Sequence, residues 1–148
     1  RLANAMALRT LFPEQAALAV DFGTATNIVV VDERGDFAGG AIFPGIGLQS
    51  EMAESATAGR LPKTNLFSIK TVQPVARSTD EALQTGIVLG QAGAVDRLVT
   101  DMERSFGGKR VHKVATGGWA EVVLPHTYSN LIWHRNLTLF GLNCLARC

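Results

Sequence analysis

The segment around Asp21 limits what this chain can fold into more than any other. An apolar run from Ala17 leads to Asp21, a Gly23-Thr24 turn follows, and a β-branched run resumes at Ile28. This order predicts a buried strand, a tight turn and a second strand, with a carboxylate at the bend. Such a turn lets backbone N–H groups and hydroxyls approach a phosphate, while the carboxylate can hold a cation or a water. An ordinary β-hairpin, in which Asp21 bonds its own turn, fits these residues equally well.

Length and composition indicate one globular domain. The chain has 148 residues, of which 47% are hydrophobic and 18% charged, and its net charge is +1. Without a basic stripe, neither nucleic acid nor an anionic membrane surface is expected as a partner. No apolar run reaches the roughly 18 residues of a membrane span, and a cytoplasmic protein is expected. Cys144 and Cys148, four residues apart, are then expected to be unpaired thiols.

The hydrophobic pattern predicts a mixed α/β fold. Helices are predicted over residues 2–12, 48–58, 78–104, 119–124 and 137–148, and strands over 17–21, 27–31, 37–43, 111–116 and 130–133. Residues 59–75 are predicted to form an irregular, mobile loop. Ser78 and Glu81 fit a capping box, and Gly86, Gly90 and Gly93 predict a helix face that packs closely on a neighbour. The order resembles the βββαβαβα plan of the ribonuclease H-like, actin-like ATPase domain, a mixed sheet flanked by helices.

A second glycine turn, Gly117-Gly118, follows a later predicted strand that ends at Thr116. In the actin-like plan the two turns meet at one cleft, where the first faces phosphates and the second passes beside adenosine. A purely structural turn is the alternative. Trp119 is either a core residue or a neighbour of the adenine. The chain has no Gly-x-x-x-x-Gly-Lys sequence, which excludes a P-loop.

The whole pattern resembles the type III pantothenate kinases, which include the related Bvg accessory factors. The resemblance is carried by Arg1-Leu2-Ala3-Asn4-Ala5, Asp21-Phe22-Gly23-Thr24-Ala25-Thr26, Gly39-Gly40-Ala41-Ile42-Phe43-Pro44-Gly45-Ile46, Ser78-Thr79-Asp80-Glu81-Ala82-Leu83-Gln84-Thr85-Gly86, Ala115-Thr116-Gly117-Gly118 and Leu137-Thr138-Leu139-Phe140-Gly141-Leu142. These motifs follow the family's order along nearly the whole chain. They are similar to the second of the two actin-like domains in these kinases.

The resemblance implies ATP-dependent phosphorylation of pantothenate, the first step of coenzyme A synthesis. Asp21 is then the ligand of an activating monovalent cation, K⁺ or NH₄⁺, and Mg²⁺ accompanies the ATP. Gly23 and Thr24 are expected at the phosphates, and Gly117 and Gly118 along the nucleotide. A homodimer is also implied, with the long glycine-containing helix as a possible interface element.

Arg1 and Thr79 are the implied pantothenate contacts, and the alternative for Thr79 is that it only caps its helix. The family's general base is the Asp immediately before the position of Arg1, so this chain is expected to be a fragment without it. The first domain, with its own phosphate loop, is expected to be missing as well, and the fragment alone is expected to be inactive. The chain departs from the family at Ser78, usually Asn, at Phe140, usually Glu, and at residues 134–136, usually Asp-Pro-x.

Two other functions stay open from the sequence. One is a Bvg accessory factor-like protein whose nucleotide cleft serves regulation rather than turnover. The other is a non-catalytic or degraded copy, which the altered segment at residues 134–136 suggests. An intact Asp and a complete phosphate loop upstream of Arg1 would favour the kinase.

Overall fold

The computed structural model describes residues 1–69 and 71–147, and within them the chain forms a five-stranded sheet with helices on both faces. The strands are β1 (Ala17–Phe22), β2 (Ala25–Val31), β3 (Phe37–Pro44), β4 (His112–Thr116) and β5 (Ile132–Trp133). The α-helices are α1 (Leu2–Leu11), α2 (Ile46–Ala56), α3 (Thr79–Ser105), α4 (Ala120–Val123) and α5 (Leu137–Leu145). This architecture confirms the predicted mixed α/β fold.

The sheet has the order β3-β2-β1-β4-β5, so β1 is its central strand. β1, β2 and β3 form an antiparallel meander, whereas β4 pairs parallel with β1, and β5 pairs parallel with β4. Parallel neighbours need a crossover connection. α2, the following loop and α3 precede β4, and α4 lies between β4 and β5. Residues 17–20 of β1 are buried on both faces, as expected for a central strand.

Alternate residues of β1 separate two cores. Leu18, Val20 and Phe22 face α2, α3 and α4. Ala17 and Ala19 face α1 and α5 on the other side, where their small side chains leave room for helices to pack closely. Asp21 continues this second series and therefore lies at the α1 and α5 side of the sheet.

Element ends differ from the predictions by a few residues. α2 begins at Ile46 rather than at residue 48, β2 begins at Ala25 rather than at 27, and β5 is reduced to Ile132–Trp133. Within the irregular segment 59–75, residues Leu66–Ser68 form a 3-10 turn, and another 3-10 turn, Leu124–His126, follows α4 directly. Of the two cysteines, Cys144 lies on α5, whereas Cys148 lies outside the described residues, so the state of the thiols stays a prediction.

The prediction that the α3 glycines pack closely on a neighbour is wrong within this chain. Gly86, Gly90 and Gly93 are exposed, and a Cβ added to any of them would meet nothing within 4 Å. The opposite face of α3, with residues such as Val88 and Val95, carries the contacts with the sheet.

Among the described residues, no helix is both long and apolar enough to cross a bilayer.

A different glycine permits the closest helix contact. Gly141 of α5 is buried, and a Cβ there would lie 1.8 Å from the backbone oxygen of Ala3 in α1. Backbone cannot move aside as a flexible side chain can. The crossing of α1 and α5 therefore requires glycine at this position.

We expect Gly141→Ala and Gly93→Ala to change the free energy of unfolding in opposite directions. The first forces α1 and α5 apart and should cost about 1–3 kcal/mol. The second adds a methyl group in open space and should stabilise α3 by up to about 1 kcal/mol. Urea unfolding of both variants measures the difference. Equal stability of Gly141→Ala and the unaltered chain would contradict the crossing described here.

Candidate functional site

The two glycine turns lie side by side at the carboxyl ends of the neighbouring strands β1 and β4. Asp21 of β1 is paired with Thr116 of β4, so both strands deliver their following turns to the same place. The backbone N–H of Trp119 donates to the oxygen of Phe22 across 3.0 Å, which joins the second turn to the end of β1. The predicted convergence of the two turns is therefore present in the fold.

Gly117 and Gly118 have different roles in the second turn. Gly117 has φ +100°, and a Cβ on it would lie 2.6 Å from backbone atoms of Phe22, so no side chain fits. Gly118 is exposed, with nothing within 4 Å of its Cβ position. The first glycine therefore lets the turn pack on β1, and the second leaves its backbone open to a ligand.

The first turn is held by its neighbours while its hydroxyl stays outside. The N–H of Gly45 donates to the oxygen of Thr24 across 2.9 Å, and a Cβ on Gly45 would lie 2.2 Å from the oxygen of Gly23. Thr24 is exposed, whereas Thr26 is buried and accepts a 2.6 Å hydrogen bond from Gln91 of α3. The turn is thus fixed by its contacts with Gly45 and by the buried Thr26, and the side chain of Thr24 is exposed to solvent.

Asp21 is half-buried and is held by a chain of side-chain hydrogen bonds. The Nδ2 group of Asn4 donates to Oδ2 of Asp21 across 3.1 Å, and the hydroxyl of Thr138 donates to Oδ1 of Asn4 across 2.8 Å. Asn4 is fully buried. The sequence analysis assigned no role to Asn4 or Thr138. A polar Asn4 among the buried alanines of α1 could have indicated a residue with a specific hydrogen-bond partner.

Asn27 supplies a second side-chain oxygen beside Asp21. The two residues are cross-strand partners in β1 and β2, so their side chains share a sheet face. Oδ1 of Asn27 is buried and has no hydrogen-bond partner within the described part of the chain. Oδ1 of Asp21 points towards the first turn, 3.7 Å from the Cβ position of Gly23. A hard monovalent cation prefers such oxygen atoms, and an orphaned acceptor fits one.

A polar cavity of about 330 Å³ adjoins the second turn. Its lining includes Thr116, Gly117, Gly118, Glu121, Arg135 and Thr138. Arg135 belongs to the altered segment 134–136, and its backbone oxygen accepts a 3.3 Å hydrogen bond from the hydroxyl of Thr116. This segment thus contributes a residue with a cationic side chain to the lining of the cavity. Sequence reasoning did not single out Arg135.

Arg1 and Thr79 do not join this cluster. The guanidinium of Arg1 lies 5.4 Å from the ring centre of Phe37, which is level with Ala17, four residues before Asp21 on β1 (21 − 17 = 4). Thr79 lies twelve residues before Gln91 on α3 (91 − 79 = 12), a span of about 18 Å along a helix.

The start of α3 is capped without Thr79. The Ser78 hydroxyl accepts from the N–H of Glu81 across 3.2 Å, and Glu81 accepts from the N–H of Arg77 across 2.8 Å. The predicted cap is present, although Glu81 bonds Arg77 rather than Ser78. Thr79 is exposed, so its hydroxyl is left accessible.

Comparisons with solved structures agree with this architecture. A putative Baf family transcriptional activator from Campylobacter jejuni superposes with a TM-score of 0.63 at 20% identity, covering 96% of this chain and 61% of the other. An archaeal actin homolog superposes with a TM-score of 0.59 at 11% identity, covering 99% and 53%. At these identities the likeness shows the fold alone, and the second match confirms that the fold is actin-like.

Comparisons of sequence are more specific. A type III pantothenate kinase from Janthinobacterium sp. is 36% identical over 146 residues, covering 99% of this chain and 55% of the relative. One from Mycobacterium leprae (strain Br4923) is 40% identical over 148 residues, covering 96% and 53%. The chain thus spans about half the length of the curated relatives it matches. The family model described as type III pantothenate kinase matches residues 1–101, and the chain therefore belongs to the type III pantothenate kinase family.

Proposed function

We propose that the full-length protein transfers a phosphoryl group from ATP to pantothenate, giving 4'-phosphopantothenate in the first step of coenzyme A synthesis. The observation that carries this proposal is the pairing of Asp21 with Thr116, which sets a carboxylate between two glycine turns. Membership of the kinase family supports the same reaction. This chain would be the second of two actin-like domains. By itself it would form one wall of the ATP cleft and lack turnover.

The two turns are proposed to bind the nucleotide. Gly23 and Thr24 would meet the phosphates through backbone N–H groups and the exposed hydroxyl, and Gly117 and Gly118 would pass along the rest of the ATP, which arrives with Mg²⁺. Arg135 lines the adjoining cavity and would add a positive charge near the triphosphate. Phosphoryl transfer depends mainly on positioning and on charge stabilisation, and these groups supply both.

Asp21 and Asn27 are proposed to hold the monovalent cation, K⁺ or NH₄⁺. A cation bound there would reduce the repulsion between the Asp21 carboxylate and the triphosphate. Asn4 donates its amide N–H to Asp21, so its own oxygen faces Thr138 instead of the cation. Asn4 therefore orients the carboxylate, and Thr138 orients Asn4.

Arg1 and Thr79 remain the proposed contacts for pantothenate. Because both lie apart from the turns, the substrate pocket needs a surface from the proposed first domain or from a second copy of the protein. A homodimer would supply the latter, and the exposed glycine face of α3 is the surface on which two copies could approach closely.

The kinase assignment is tested with Asp21→Asn in the full-length protein. Removing a direct ligand should lower potassium affinity by at least the 10- to 100-fold typical of changes around a metal site, and should reduce kcat/KM for ATP. Formation of 4'-phosphopantothenate is measured across a potassium titration. Asp36→Asn, at the exposed β2–β3 loop, is the matched control and should behave like the unaltered enzyme. Unchanged potassium dependence in Asp21→Asn would remove the cation role, and nucleotide binding without any turnover in the unaltered protein would remove the kinase assignment.

Thr138→Val tests the orienting hydrogen bonds. It leaves the buried oxygen of Asn4 without its donor, which should cost about 1–3 kcal/mol of stability and lower potassium affinity roughly tenfold. Thr138→Ser keeps the hydroxyl and should retain both. Urea unfolding and the potassium-dependent shift of the melting temperature provide the measurements. If valine and serine at position 138 behave alike in both, Thr138 has no part in holding Asn4.

A further inference from the structure

A buried amide contacts the strand that follows the first glycine turn. Gln91 of α3 is 1% exposed, and its neighbours on the same face of the helix, such as Val88 and Val95, pack in the core between α3 and the sheet. An apolar side chain would fill this place without the cost of removing an amide from water. The amide of Gln91 therefore needs hydrogen-bond partners inside the fold, and it has one on its nitrogen and one on its oxygen.

Gln91 connects two segments that border the first turn. Its Nε2 group donates to the hydroxyl oxygen of Thr26, two residues after Thr24, across 2.6 Å. Its Oε1 atom accepts from Nε2 of Gln49 in α2, also across 2.6 Å. The same Nε2 group of Gln49 donates to the backbone oxygen of Pro44 across 2.9 Å. These three hydrogen bonds run from β2 through α3 and α2 to the end of β3, and we call them the glutamine chain.

The backbone oxygen of Pro44 sets the direction of the glutamine chain. A carbonyl oxygen can only accept, so the nitrogen of Gln49 must face Pro44. That nitrogen also faces Gln91, which therefore presents its oxygen to Gln49 and its nitrogen to Thr26. Reversing either amide would place two donors or two acceptors opposite each other. Both glutamine side chains thus have a single orientation that satisfies the chain.

Both ends of the glutamine chain reach segments that hold the first turn directly. Gly45, which follows Pro44, donates its N–H to the backbone oxygen of Thr24 across 2.9 Å. Thr26 is paired with Phe22 of β1, so these two residues close the base of the turn. Since α3 is fixed on the sheet by its own apolar contacts, the glutamine chain ties the turn to a rigid helix from two sides.

We propose that Gln91 is a positioning residue for phosphate binding, which keeps the first turn in one arrangement before ATP arrives. This inference rests on the proposed function, since it takes the turn as a phosphate contact. Gln91 does not contact the nucleotide itself but acts through Thr26, and Gln49 supports it from Pro44. A turn fixed in advance loses little freedom on binding, and phosphoryl transfer is sensitive to small displacements of the groups that position the phosphates.

Hydrogen exchange tests the tie in the full-length protein without nucleotide. Gln91→Met has a similar length but cannot donate to Thr26. Exchange of the backbone N–H groups of residues 22–27, relative to residues 112–116 of β4, should become up to about tenfold faster. Val95→Ala is the matched control, because it shortens a buried side chain on the same face of α3 outside the glutamine chain. It should lower overall stability and leave this ratio unchanged. An unchanged ratio in Gln91→Met would overturn the proposal.

Steady-state kinetics of pantothenate phosphorylation test whether the fixed turn matters to the reaction. Gln91→Met should lower kcat/KM for ATP by about 10- to 100-fold, because it loosens a group that positions the phosphates. The KM for pantothenate should stay as in the unaltered enzyme, because its proposed contacts lie apart from the turn. Thr26→Val removes the acceptor of Gln91 and should have the same effect, whereas Thr26→Ser keeps the hydroxyl and should restore activity. This second pair of variants also serves if Gln91→Met does not fold.

The outcomes separate the positioning role from the kinase assignment. If the unaltered full-length protein neither binds MgATP nor phosphorylates pantothenate, the proposed function fails, and the positioning role fails with it. If the unaltered protein is active and both Gln91→Met and Thr26→Val keep its kcat/KM for ATP, only the positioning role is overturned. An equal fall in kcat/KM for ATP in Val95→Ala, measured at a temperature at which the variant is folded, would also overturn it, since lost core packing would then account for the effect.

Discussion

The parallel pairing of β1 with β4 is the contact on which the rest of the site depends. β1 is central and buried on both faces, so its position is set by the sheet and by two cores at once. Pairing β4 beside it requires a crossover, and α3 makes that crossover while packing on one face of the sheet. The result is that two turns far apart in sequence start from neighbouring strand ends. The proximity of the two turns is thus a consequence of the strand order, and the hydrogen bond from Trp119 to Phe22 reinforces it.

The same helices that cover the second face also hold the carboxylate. Gly141 lets α5 approach α1 at Ala3, and the neighbouring residues, Asn4 on α1 and Thr138 one turn earlier on α5, meet in a hydrogen bond. The side-chain amide of Asn4 in turn donates a hydrogen bond to Asp21. The helix crossing and the orientation of the acid are therefore mechanically coupled. A change that separates α1 from α5 would stretch the hydrogen bond between Thr138 and Asn4.

Local sequence patterns predicted the helices and strands well, but they did not predict contacts between residues that are far apart in the sequence. The apolar runs on either side of the Gly23-Thr24 turn and the Ser78 cap are local signals, and the strands and the cap that they predict are present in the structure. The contact of Thr138 with Asn4 joins residues 134 positions apart, and no spacing rule could reveal it. The stack of Phe67 on Trp119 was equally hidden, because Phe67 lies in a loop without periodicity.

The α3 glycines were misinterpreted for a related reason. A missing side chain permits close packing, but it is equally compatible with a face that meets nothing in its own chain.

The residues that support the turns are buried, and the groups proposed to face the nucleotide are exposed. Asn4, Thr26 and Thr116 are buried, whereas Thr24 and Gly118 are exposed. Groups exposed in this way bind charge weakly, because water screens them and competes for their hydrogen bonds. Phosphoryl transfer on this surface would accordingly need a second wall that excludes water and restores the strength of these contacts. The proposed first domain would supply that wall.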